Sequence, residues 1–195
     1  MMDPMPPTSA PDAAAPFRVC VFCGSSDGTR PAYGKAAVAL GAAIARRGWG
    51  LVYGGAQVGL MGMTADAALR WGGEVIGVIP RGLFRDEVAH PGLTRLVEVD
   101  GMLERKALMA ELSDVFVSLP GGMGTLDELF EMLTWSQLGL HPRPKPNGLV
   151  EIDGFWSGLV GFLDRSTSDG FVQPQHRELL LVDDDIERLL DRLTR

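Results

Sequence analysis

The stretch SLPGGMGTLDELFEM, residues 118–132, sets three glycines and a threonine at the mouth of a helix and places a carboxylate, Glu128, just inside it. Gly121, Gly122 and Gly124 let the backbone come close to a ligand. A helix beginning near Thr125 offers unpaired N–H groups and the positive end of its dipole. That combination suits a phosphate monoester, which makes the acid at 128 conspicuous. Two readings of it stand. Thr125-Leu126-Asp127-Glu128 fits the capping box T-x-x-E, in which the glutamate bonds back to the cap N–H and acids in the first turn suit the dipole. Alternatively, with Leu126, Leu129, Phe130 and Leu133 as the buried stripe, Glu128 and Glu131 share another face with Thr125 and Trp135. That face looks into the loop edge, where a carboxylate can act on a substrate.

A second group bears on the choice. In MLERKALMAEL, residues 102–112, Arg105 falls between Met109 and Leu112, and Lys106 falls between Met102 and Ala110, at about 100° per residue. Both cations therefore sit on the apolar side of their helix. Long cations can snorkel out of such positions. Otherwise a buried pair needs anions, which a ligand phosphate together with Glu128 would supply.

The elements that must position these residues alternate. Strand-like apolar runs are expected at 18–23, 51–55, 74–80, 95–99, 114–120 and 147–152, with helices around 31–47, 60–71, 102–112 and 124–138 and helical segments to the end. Continuous apolar strands separated by helices predict an α/β fold, a doubly wound, Rossmann-like parallel sheet with helices on both faces. Residues 17–195 read as one domain, since no linker or repeat divides them. Three glycine-bearing loops, CGSS (23–26), YGGAQVGLMG (53–62) and PGGMGT (120–125), fall at the carboxyl edge of the sheet, where such folds bind ligands. None is a Walker A loop, because Lys35, Lys106 and Lys145 all lie elsewhere. The dinucleotide fingerprint fails as well, since GGAQVG is not G-x-G-x-x-G and the next strand ends in Pro80. HPRPKPNG (141–148) reads as an exposed, mobile loop.

A net charge of -7 argues against a nucleic acid polymer as partner, because that needs many Lys/Arg contacts; a small anion needs only a local pocket. Cys20 and Cys23 spell C-x-x-C, but inside a strand positions i and i+3 point to opposite faces, so neither a redox pair nor half a zinc site is expected. Residues 1–16, rich in Pro and Ala, read as a disordered tail without the features of a secretory signal. No run of about 18 apolar residues predicts a membrane span, and the cytoplasm is the expected location.

Taken together, PGGMGT-LDE, MLERKALM, YGGAQVGLMG, VFCGSS, TWSQLGLH and DGFW resemble the LOG (LONELY GUY) family of cytokinin riboside 5'-monophosphate phosphoribohydrolases, often mislabelled lysine decarboxylases. The resemblance runs from about Phe17 to the C-terminus. It implies hydrolysis of the N-glycosidic bond of a nucleoside 5'-monophosphate, such as an N6-modified adenosine 5'-monophosphate or AMP, with no metal or organic cofactor. Matched residue by residue, it implies Glu128 and Arg105 as the catalytic pair and Lys106 as the companion of Arg105. Gly121, Gly122, Met123, Gly124 and Thr125 become the phosphate loop, and Ser25, Glu87, Met102 and Thr134 further nucleotide contacts. Met123 stands where the family commonly has an aromatic residue and Leu103 where it often has His, departures that bear on base preference more than on chemistry.

On this reading the departing base leaves the ribose oxocarbenium-like, and a carboxylate beside the anomeric carbon stabilises that charge and orients water. Two rivals use the same residues. A pyridoxal phosphate decarboxylase would need a Schiff-base lysine, for which only Lys106 is a candidate. A non-catalytic nucleotide or molybdenum-cofactor carrier on the same fold would need the cradle and the cations but no acid at a scissile bond. The resemblance also implies a homodimer with its site near the interface, and Trp135, Leu138 and Leu140 could serve that contact.

Overall fold

The computed structural model describes residues 16–82 and 88–195, so the expected tail, apart from Pro16, and Glu87 lie outside the described residues. Seven parallel strands form one sheet: β1 (Arg18–Phe22), β2 (Gly50–Tyr53), β3 (Val75–Pro80), β4 (Arg95–Val99), β5 (Val115–Ser118), β6 (Asn147–Val150) and β7 (Leu180–Asp183), in the order β4-β3-β2-β1-β5-β6-β7. The doubly wound α/β expectation is met, with one strand more than the sequence indicated. Residues 178–183, ELLLVD, contain β7, and their leucines fit a strand and a short helix equally well.

The strands alternate between two apolar layers. Val19, Val21, Leu51, Tyr53 and Val117 meet α1 (Pro31–Arg46), α2 (Gly59–Arg70) and α7 (Ile186–Leu193). On the opposite face, Cys20, Phe22, Val52, Val78 and Phe116 meet α3 (Met102–Glu111) and α4 (Met123–Leu138). Leu149 and Leu180 pack against α4 and α5 (Ser157–Ser168) there as well. A short helix, α6 (Pro174–Arg177), leads into β7. Cys20 and Cys23 belong to opposite layers and are free, as strand alternation requires.

The chain winds outward from β1 to β4, then returns to the other side of β1 for β5, β6 and β7. The topological switch point therefore lies between β1 and β5, the crevice where such sheets bind ligands. Gly24 N–H donates to Pro120 O at 3.1 Å and ties the loops leaving those two strands together. The PGGMGT and CGSS loops consequently form one edge.

The loop 141–148 meets expectation in part: Pro142, Arg143 and Pro144 are exposed, but the residues after them are not. Lys145 is buried, its Nζ donating to Ala110 O, and Pro146 O accepts the Phe116 N–H, so this segment forms part of the sheet's amino-terminal margin. Burial, then the Arg143 charge, pushes the Lys145 ammonium down from its ordinary value.

Candidate active site

A cavity of about 210 Å³ opens at the switch point. It is lined by Cys23, Gly24 and Ser25 after β1, Met61 of α2, Met102 and Arg105 of α3, and Gly122, Met123, Gly124, Thr125, Asp127 and Glu128 at the start of α4. Residues far apart in sequence thus converge on one small volume.

The helix start settles the first question raised by Glu128. Gly122 is the N-cap, no side chain caps the helix, and Leu126 N–H already bonds to Gly122 O. Met123 is the first helical residue, Thr125 the third and Glu128 the sixth, so the capping box is not formed. A glutamate there has passed beyond reach of the cap N–H. The buried stripe is corrected too. Thr125, Glu128, Leu129 and Met132 are the inner face, whereas Phe130 is 36% exposed. α4 lies with its polar first turns over the cavity, so hydrophobic periodicity alone misassigns its face. Glu128 is 9% exposed, and its charge reaches both cysteines. Burial, then that carboxylate, pushes the Cys20 and Cys23 thiols up.

Arg105 is 5% exposed. Its Nε donates to Val78 O at 3.0 Å and its Nη2 to Gly54 O at 2.8 Å, while Nη1 lies 3.8 Å from Met102 Sδ. The sequence reading assigned it anions as partners. Two main-chain carbonyls, of Val78 within β3 and of Gly54 just after β2, hold two of its donors, and the remaining edge of the guanidinium borders the cavity. A Cβ at Gly54 would overlap Nη2, so this grip depends on glycine at that position.

Lys106 is buried and lies 2.9 Å from both Asp127 Oδ2 and Glu131 Oε2. Its anions are therefore side chains of α4, and it is not among the residues that line the cavity. Burial pulls its ammonium down, but the bonds to Asp127 and Glu131 outweigh that and raise it above the ordinary value. An amine held protonated in this way is poorly suited to Schiff-base chemistry.

The glycines of the loop divide by role. Gly122 and Gly124 face open space, consistent with close approach of a ligand. At Gly121, a Cβ would overlap Thr125 Oγ1 and sit 2.9 Å from Gly24 N, so that glycine serves the loop's own packing. Ser25, Met102 and Met123 join Arg105 and Glu128 at the cavity. Thr134 does not. It stands about 240° round the helix from Glu128, bonds to Phe130 O at 2.7 Å, and borders an open groove along α4 that shares Met123 and Asp127 with the cavity. The sequence reading missed Cys23, Gly24, Met61 and Asp127 as cavity residues, although each lies inside a motif it had singled out.

Comparison with known proteins identifies the family. Residues 61–193 match the family described as "Possible lysine decarboxylase". A cytokinin riboside 5'-monophosphate phosphoribohydrolase of Rhodococcoides fascians is 49% identical over 187 residues, covering 94% of this chain and 93% of the relative. One of Arabidopsis thaliana is 44% identical over 176 residues, 90% of this chain and 76% of the relative. Among solved structures, the molybdenum cofactor binding protein of Rippkaea orientalis superposes with a TM-score of 0.71 at 22% identity, covering 93% of this chain and 98% of that one. At that identity it speaks for the fold alone. On the sequence relatives, the chain belongs to the LOG family of cytokinin riboside 5'-monophosphate phosphoribohydrolases.

Proposed function

We propose that the protein hydrolyses the N-glycosidic bond of adenosine 5'-monophosphates, N6-modified ones included, to free base and ribose 5-phosphate. The observation that carries this reading is the meeting of Glu128, Arg105 and the uncapped start of α4 around one cavity. The amides of the first helical turn, with Thr125, take the phosphate. Arg105 adds a fixed positive charge at the cavity wall. Glu128 faces the anomeric carbon, where it stabilises the oxocarbenium-like sugar and orients water. The water oxygen bonds to C1' as the bond from C1' to the base breaks. The bonding electron pair leaves with the base, and a proton from the water ends on it. Small-molecule pockets usually run to about 300–1,000 Å³, so a cavity of about 210 Å³ suits the sugar phosphate, with the base toward the exposed Met102 and Met123. Gripping the non-reacting phosphate positions the sugar, so a plain nucleoside is a poor substrate.

A panel of nucleoside monophosphates, with chromatography of the released bases, tests the reading. Glu128→Gln should still bind AMP while releasing no adenine; binding without release by the unaltered protein would favour a carrier instead. We place the enzyme in the cytoplasm as a homodimer, acting on free nucleotides rather than on nucleic acid. Two unpaired thiols suit that compartment, and Leu138 and Leu140, about 60% exposed at the end of α4, suit a subunit contact. Sedimentation equilibrium reads the assembly directly. No helix among the described residues is long and apolar enough to cross a membrane.

A further inference from the structure

We propose that Lys106 is a positioning residue, a strap that fixes the catalytic helix, and that it does not touch the ligand. This rests on the hydrolase reading above. Arg105 and Lys106 are neighbours on α3, yet they grip different parts of the molecule. Arg105 holds the main chain just after β2 and within β3. Lys106 reaches Asp127 and Glu131, carboxylates one turn apart that bracket Glu128 on α4. Met109 and Ala110 of α3 and Met132 of α4 share one apolar cluster beneath the sheet face, and the two-legged ion pair adds a polar link between the same helices beside the cavity. It sets the span between the guanidinium of Arg105 and the carboxylate of Glu128 on either side of the cavity.

The strap has an electrostatic consequence. Asp127 lines the cavity beside Glu128 and is ion-paired with Lys106 at 2.9 Å. Removing Lys106 alone would also unmask that negative charge next to the phosphate. A single neutral substitution therefore confounds positioning with repulsion, and the informative variant removes a charge of each sign.

The double variant Lys106→Gln/Asp127→Asn keeps the net charge and cuts the strap. Its affinity for ribose 5-phosphate, read by calorimetry, should stay within about twofold, while kcat on AMP falls about 10–100-fold, the order that a displacement of about 1 Å costs. Lys106→Arg, able to bridge the same two carboxylates, should restore most of kcat. A tenfold loss of ribose 5-phosphate affinity with kcat intact would make Lys106 a ligand contact and overturn the proposal, as would unchanged kcat in the cut variant. Hydrogen exchange over residues 126–131 is read on the same proteins. It should quicken when the strap is cut, and unchanged protection would also overturn the proposal. Because that readout needs no turnover, an unaltered protein that releases no base from any nucleotide would sink the hydrolase reading without deciding the strap.

Discussion

Arg105 Nη2 donates to the Gly54 carbonyl at 2.8 Å while Nε of the same guanidinium donates to Val78 O at 3.0 Å, so one planar fork bridges the residue after β2 and the body of the adjacent β3. A lysine has neither the plane nor the second donor direction for that task. Arg105→Lys should lower kcat/KM on AMP by about 10²–10³-fold, the cost of losing a preorganised charge, with circular dichroism unchanged.

Gly54→Ala should reproduce much of that loss without altering any polar side chain. The new Cβ overlaps Nη2 and forces the guanidinium off its carbonyls. A fall in kcat of about tenfold or more is expected. Normal turnover in this variant would mean that Arg105 tolerates displacement.

Gly121→Ala strikes the other end of the ligand. Its Cβ would collide with Thr125 Oγ1, disturbing the loop whose amides take the phosphate. Ribose 5-phosphate affinity should drop by about tenfold, with KM for AMP rising in parallel.

Asp183 closes β7 onto α7. It accepts from Arg188 Nε, Arg192 Nη1 and the Asp185 N–H, and the Arg188 hydrogen bond, working against burial, holds its carboxyl well below the usual range. A depressed carboxyl stabilises the fold fully above the unfolded-state value and loses that contribution as pH falls through the lower folded value. Asp183→Asn should therefore cost about 1–3 kcal/mol near neutrality. The gap between variant and parent in urea melts should close only in strong acid.

Cys20 and Cys23 offer a control. Burial, with the Glu128 charge second, pushes both thiols above their ordinary value, so at pH 8 neither supplies much thiolate. A disulfide-exchange reagent should label the folded protein slowly and both cysteines promptly after denaturation. Rapid labelling of the native chain would contradict the layer assignment.

Much of this was legible in the residues. The alternation of apolar runs and helices gave the parallel sheet, and the three glycine loops do gather at one edge. The face of α3 was legible too, because Arg105 and Lys106 fall at core positions and are buried there. Their partners were not, since the acceptors of Arg105 lie 27 and 51 residues away in sequence and are main-chain atoms that no side-chain pattern encodes. The face of α4 was legible in part: Thr125 and Glu128 lie on the side toward the loop edge as read, but the apolar stripe was misassigned, since Phe130 is 36% exposed and Met132 is buried. Thr134, a contact implied by family resemblance, is carried by helix geometry to the outside of α4.

Peptide oxygens belong to every residue type, so no replacement at position 78 can delete the acceptor that Arg105 uses there, provided the strand keeps its path. Position 54 is the reverse case, since any Cβ there would push the guanidinium from its place. The anchorage of this cation is thus robust to drift in one strand and brittle at a single residue of the next, an asymmetry that saturation mutagenesis at the two positions would expose directly.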